Sequence, residues 1–122
     1  MSQSMRRILV VDDEVDSCQN LLDILTDLGY EADIALDGPG ALQLIQEHSY
    51  QVAILDLRMP GMRGTDLFLK LRAHSPEMKA ILVSAYVDDE ASVQAHEARM
   101  EAVLVKPVNV GRLLTLIEKL IA

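Results

Sequence analysis

Five short runs of aliphatic and β-branched residues recur along this chain: Ile8–Val11, Ala32–Ala35, Val52–Leu55, Ala80–Val83 and Ala102–Val105. Longer stretches with helical periodicity separate them. This alternation leaves few folds open. Strands joined through helices lie parallel in one sheet, with helices covering both faces. Right-handed crossovers narrow the choice to a doubly wound α/β sheet.

The helical stretches have recognisable limits. Val15, Cys18, Leu21, Leu22, Leu25 and Leu28 form one apolar stripe, and Gly29 stops it. A second helix opens at "DGPGAL", with Pro39 suited to a first turn and Leu42 and Ile45 facing inward. A third covers about Thr65–His74 and ends before Pro76. The fourth, about Asp88–Ala98, is Ala-rich and polar, so it is expected to pack least firmly. The fifth carries Val110, Leu113, Leu114, Ile117, Leu120 and Ile121 on a wide apolar face. It runs to the end of the chain, so no output domain is expected after it here.

A length of 122 residues fits a single domain over 1–122, with an ordered core at about 6–121. Apolar residues make up 50% and charged residues 25%, which is the composition of a folded globular chain and not of a disordered one. No apolar run approaches the ~18–20 residues that cross a bilayer, and no secretory leader opens the chain, so a cytoplasmic protein without membrane contact is expected. Cys18 is the only cysteine and reads as a small buried hydrophobe. The net charge of −8 argues against direct nucleic-acid binding and allows a cation site or a basic partner.

Ligands of doubly wound sheets bind beyond the carboxyl ends of the strands. At those ends stand Asp12 and Asp13, then Asp56, Ser84 and Lys106. Singly, each has a plain explanation: a helix cap for Asp12 or Asp13, an Asx-turn for Asp56, a loop hydroxyl for Ser84, a solvated charge for Lys106. Together, at one edge of one sheet, they are not explained as independent caps. "RRILVVDDE" places Asp12, Asp13 and Glu14 in a row directly after a buried run. Clustered carboxylates repel unless a cation sits among them, and a hard divalent ion such as Mg²⁺ or Mn²⁺ suits oxygen donors. A metal, an ammonium and a hydroxyl suit phosphoryl transfer, and a carboxylate can itself be the nucleophile. Asp56, alone at the central strand end and facing the Asp12–Asp13 pair, is the candidate.

These residues carry a family resemblance over essentially the whole chain. "ILVVDDE", "AILDLRMPGMRG", "AILVSAY" and "VLVKPV" resemble, in order and spacing, the motifs of response regulator receiver domains of the CheY-like superfamily. The resemblance implies a flavodoxin-like (βα)5 fold with strand order 2-1-3-4-5. It implies that Asp56 accepts a phosphoryl group from the phosphohistidine of a sensor histidine kinase or phosphotransfer protein. Asp13 and Asp56 would ligate Mg²⁺ or Mn²⁺, Asp12 would act directly or through water, and the Arg58 backbone carbonyl would complete the protein ligands. Ser84 and Lys106 would hold the phosphoryl oxygens, and the Lys106–Pro107 bond would be cis. Such receivers are switches and not metabolic enzymes, although they slowly dephosphorylate themselves. The implied setting is a bacterial two-component or phosphorelay pathway with an unassigned output. The fourth helix, fifth strand and fifth helix would form the partner surface, including any homodimer.

Two positions depart from the family pattern. Where the family usually carries Tyr or Phe, three residues before its Lys, this chain has Val103. Where a Gly often ends the fourth helix, "EARMEAV" places Arg99 or Met100. The first departure shifts attention to Tyr86, two residues after Ser84, which with Arg58 is expected to tune the switch and the lifetime of the phosphate. "DLRMPGM" also resembles receivers that precede transcriptional activators. Two other readings stand beside this one: a degenerate receiver used only for docking, and a haloacid-dehalogenase-like phosphatase. The latter places its nucleophile after the first strand in a D-x-D pattern, where this chain has D-D-E. His48, His74 and His96 lack metal-ligand spacing, and Met59 and Pro60 are expected to shape the loop after Asp56.

Overall fold

The computed structural model describes residues 6–86 and 88–121; residues 1–5, 87 and 122 of the expected domain lie outside the described residues. The elements in order are β1 (Arg7–Val11), α1 (Val15–Asp27), β2 (Glu31–Ala35), α2 (Gly38–Glu47), β3 (Val52–Asp56), β4 (Arg58–Met59), β5 (Met62–Arg63), α3 (Gly64–His74), β6 (Lys79–Ser84), α4 (Asp89–Glu97), β7 (Ala102–Val105) and α5 (Val110–Ile121). Five parallel strands form one sheet in the order β2-β1-β3-β6-β7. The expected order of 2-1-3-4-5 is corrected accordingly. The segment read as a loop after Asp56 forms the two-residue strands β4 and β5, which pair antiparallel, and counting them renumbers the last two strands of the main sheet. Pro60 and Gly61 turn that hairpin, and Gly61 takes φ 83, a left-handed value that costs glycine nothing.

Side chains alternate across each strand, so each strand feeds two cores. Ile8, Val10, Val52, Ile54, Ile81 and Val83 point to the face covered by α1 and α5, where they meet Cys18, Leu25, Leu113 and Ile117. Leu9, Val11, Ala53, Leu55 and Ala80 point the other way, toward Ile45, Leu67, Phe68 and Leu71 of α2 and α3. Burial on both faces explains the unbroken apolar runs in the sequence. The fourth helix offers only small groups inward: Ala91 and Ala95 pack with Leu57, Leu82 and the half-buried Val103. Little apolar area is removed from water there, as its composition foretold.

Two helices end in the same way. After α1, the amide of Gly29 bonds to Thr26 O at 3.0 Å and that of Tyr30 to Leu25 O at 3.0 Å, with Gly29 at φ 92. After α4, Arg99 bonds to His96 O at 3.0 Å and Met100 to Ala95 O at 2.9 Å, with Arg99 at φ 63. Both are Schellman closures, and the second places arginine where glycine is the unstrained residue.

Candidate functional site

The site is built where the strands stop. Asp12 follows β1, with its amide bonded to Ala35 O at 3.2 Å. Its Oδ1 accepts the Glu14 amide at 3.0 Å, which closes an Asx-turn ahead of α1 and is not the expected helix cap, since the N-cap position of α1 is Glu14. The Cys18 thiol donates to the Asp12 carbonyl at 3.3 Å, and burial, followed by the Asp12 charge, pushes that thiol up to about 11. Cys18 is thus a protonated structural donor and not a reactive thiolate.

Asp56 is the last residue of β3 and is almost fully buried. The backbone beyond it is held from both sides. The Leu57 amide bonds to Val83 O at 2.8 Å, and the Gly64 amide bonds to Leu57 O at 2.9 Å. Gly64 packs so closely that a Cβ there would overlap the Asp56 carbonyl oxygen. Ser84 ends β6 with no exposed surface, and Lys106 follows β7 with its amide on Ser84 O at 2.8 Å. The Lys106–Pro107 bond is cis.

Lys106 organises the carboxylates. Its Nζ lies 2.7 Å from Asp12 Oδ2, 3.3 Å from Glu14 Oε1 and 3.5 Å from Asp56 Oδ2. Burial works against its charge, but the hydrogen bond to Asp12 and the charges of Asp56 and Asp12 outweigh it, so Lys106 stays protonated above the usual lysine range. Burial also pushes Asp56 above the ordinary carboxylate range. The Lys106 charge pulls it back, the Asp12 charge pushes it up again, and the Arg58 backbone lowers it.

Asp12, Asp13 and Asp56 each present an oxygen within 4.8 Å of the others. An all-oxygen set of anionic donors fits a hard divalent cation and suits neither a soft nor an anionic ligand. The five residues expected at the strand ends are therefore neighbours in space or joined through backbone bonds. The hydroxyl of Ser84 is turned into its own loop, where it donates to Tyr86 O at 2.9 Å. Tyr86 is 65% exposed, and Val103 sits in the small core under α4. Arg58 is exposed in the hairpin. His48, the C-cap residue of α2, and His74 and His96, on α3 and α4, are exposed and away from this edge.

Sequence reasoning passed over two contributors. Glu14 reads as one more charge in an acidic run, yet it caps α1 by position without using its side chain as a cap, and that side chain reaches Lys106. Arg63 reads as a loop residue, yet it bonds to α4. Neither partner is near in sequence, so neither contact left a local signal.

Comparison with known proteins agrees with this arrangement. The family model described as response regulator receiver domain matches residues 8–118. A response regulator receiver protein of Anaeromyxobacter sp. (strain Fw109-5) is 42% identical over 112 residues, which is 92% of this chain and 47% of the relative. The chain thus spans about half the length of that curated relative. The crystal structure of a CheY-like receiver domain protein from Methanospirillum hungatei JF-1 superposes with a TM-score of 0.91 at 36% identity, covering 97% of this chain and 94% of that one. The response regulator TrrA of Thermotoga maritima, solved in complex with Mg²⁺–BeF, gives a TM-score of 0.83 at 34% identity, covering 95% and 99%. Among the described residues, no helix is long and apolar enough to cross a membrane.

Proposed function

The chain belongs to the response regulator receiver domains, and from that premise we propose that it is a phosphoacceptor switch that takes a phosphoryl group onto Asp56. The observation that carries this reading is the packing of three carboxylate oxygens within 4.8 Å of one another beside the Lys106 ammonium. An Asp56 oxygen attacks the phosphorus of a phosphohistidine. The P–N bond breaks, and the imidazole leaves with its electron pair and takes up a proton. Lys106 neutralises charge on the transferred group, and Ser84, released from Tyr86, donates a hydrogen bond to it. Asp12, Asp13, Asp56 and the Arg58 carbonyl would hold Mg²⁺ or Mn²⁺, which when bound offsets the charge of the carboxylates and the incoming group. Water later attacks the phosphorus; the Asp56 O–P bond breaks with its electron pair left on the restored carboxylate, and inorganic phosphate leaves with the water's proton passing to solvent.

The donor is a sensor histidine kinase or a phosphotransfer protein in a bacterial cytoplasm. The signal leaves through the face of α4, β7 and α5, to an output domain or protein or to a second copy of the chain. Val93, Val105 and Val110 are exposed on those elements, and scattered apolar groups on an edge strand and its flanking helices suit protein contact. The −8 charge does not favour direct nucleic-acid binding.

Intact-mass measurement after incubation with acetyl phosphate tests the reading. Wild type is expected to gain one phosphoryl group only when Mg²⁺ or Mn²⁺ is present, and Asp56→Asn none. Equal labelling of the variant overturns Asp56 as the acceptor. Absence of any gain in wild type leaves a docking module instead.

A further inference from the structure

The fourth helix holds the sheet through small groups alone, and Val103 beneath it is short and stiff about χ1. Methyl contacts of this kind are non-directional and can slide. Among the described residues two side chains from outside α4 make directional contacts with it: Arg72 of α3 donates Nη1 to the C-cap carbonyl of Ala98 at 3.0 Å, and Arg63 reaches the helix from the hairpin after Asp56. Arg63, at the end of the β4–β5 hairpin, donates Nη1 to Gln94 Oε1 at 2.9 Å and to Glu90 Oε1 at 3.4 Å. Gln94 Nε2 in turn bonds to Glu90 Oε1 at 3.2 Å, so the two acceptors, one turn apart on α4, are themselves tied together. A guanidinium presents its donors in a fixed fork, which makes such a contact sensitive to a shift of either side.

The other end of this clasp reaches the phosphoacceptor. Arg63 pairs across the hairpin with Arg58, two residues beyond Asp56. The base of the hairpin is closed by the Gly64 amide on Leu57 O, and Gly64 abuts the Asp56 carbonyl. The segment from Asp56 to Gly64 therefore moves as a short closed unit, with Arg63 as its arm onto α4.

We infer that Arg63 is a positioning residue that couples the Asp56 loop to α4 through Gln94 and Glu90, a route that bypasses position 103. The inference rests on Asp56 being the phosphoacceptor. Arg63 occupies the N-cap position of α3 without a side-chain cap bond, so truncating it removes no cap.

The test is the amide NMR response to Mg²⁺ with beryllofluoride. In wild type, resonances of 56–63 and of Asp89–Glu97 are expected to shift. In Arg63→Ala the shifts of 56–63 are expected to persist, while those of α4 fall to less than half. The exchange Arg63→Glu with Glu90→Arg is expected to restore them, which a merely structural role would not do. A wild-type α4 response in Arg63→Ala overturns the coupling, as does an α4 that never responds in wild type. If 56–63 itself fails to respond in wild type, the acceptor reading has failed, and the coupling falls with it.

Discussion

Ser84 donates its hydroxyl proton to the backbone oxygen of Tyr86, two residues on, at 2.9 Å, and receives the Tyr86 amide at 3.3 Å. The hydroxyl is buried and already satisfied. On the proposed function its proton goes to a phosphoryl oxygen, which requires this small turn to open and release residues 84–86. Ser84→Ala removes the turn and the later hydrogen bond together. The variant is expected to take up phosphate from acetyl phosphate more slowly, with the loop at 84–86 exchanging amide hydrogens at the same rate with and without beryllofluoride. In Tyr86→Ala the turn survives, because Tyr86 takes part in it only through its backbone. The exposed ring is lost, and hydrolysis of the phosphate is expected to quicken. A phosphate half-life equal to wild type would make the ring a bystander, and a changed exchange response in Val103→Ala would return the signal to that position.

Lys106 is the single cation shared by Asp12, Glu14 and Asp56 among the described residues of the site. Removing it leaves carboxylates facing one another without a counter-charge. Breaking a fully buried pair costs ~3–5 kcal/mol, but the Lys106 side chain is 20% exposed, so water screens part of the loss and roughly 1–3 kcal/mol is expected for Lys106→Ala. The same loss deepens the negative potential at the cation site. Mg²⁺ is therefore expected to raise the urea midpoint of Lys106→Ala by more than that of wild type. Equal increments in the two proteins would show that Lys106 does not compete with the metal for these carboxylates.

The sheet was legible because burial on both faces forces unbroken apolar runs, and the strand ends follow from where those runs stop. Asp12, Asp56, Ser84 and Lys106 were legible for the same reason: each is the first polar residue after such a run. Cys18 was legible because it falls on an apolar helical stripe. The β4–β5 hairpin was not, since two-residue strands leave no period to detect, and Pro60–Gly61 announces a turn without saying that its flanks pair. The reach of Glu14 to Lys106 and of Arg63 to Gln94 depends on side-chain direction after folding. Each contact spans a wide separation in sequence, so no local spacing encodes it.

Asp56 carries a cost that the metal-free protein should reveal. Its folded pKa is raised above the ordinary 3.8, first by burial and then by Asp12, with Lys106 opposing. A raised acid binds its proton more tightly when folded, so protonation favours the native state. That favour is complete below 3.8 and is lost as pH rises through the folded value, above which the penalty stands in full. Asp56→Asn keeps the shape without the charge. Without divalent cations it is expected to be more stable than wild type at pH 7, with the difference shrinking as pH falls toward 4. With Mg²⁺ the order should narrow or reverse, because only wild type offers the third carboxylate. Urea titrations across pH, with and without Mg²⁺, check this. A variant less stable than wild type at pH 7 without metal would contradict it.

Arg99 tests what the sequence exchanged at the end of α4. The closure there matches that of α1 bond for bond, but a side chain at φ 63 brings its Cβ toward the carbonyl oxygen, at about 1–2 kcal/mol. Glycine removes that strain, while it adds freedom to the unfolded chain and gives up a cation near the helix C-terminus, each offsetting part of the gain. Arg99→Gly is therefore expected to stabilise the protein by about 0.5–1 kcal/mol, read as a higher urea midpoint at unchanged slope. The matching change at the other helix, Gly29→Ala, has open space for its methyl group, so only the backbone conformation opposes it, and a loss of about 1 kcal/mol is expected. Because α4 is held through alanines, the gain in Arg99→Gly should concentrate there and slow hydrogen exchange in Asp89–Glu97 more than in α1. A variant of unchanged stability would mean that arginine at this position recovers its strain through the carbonyls at the end of α4.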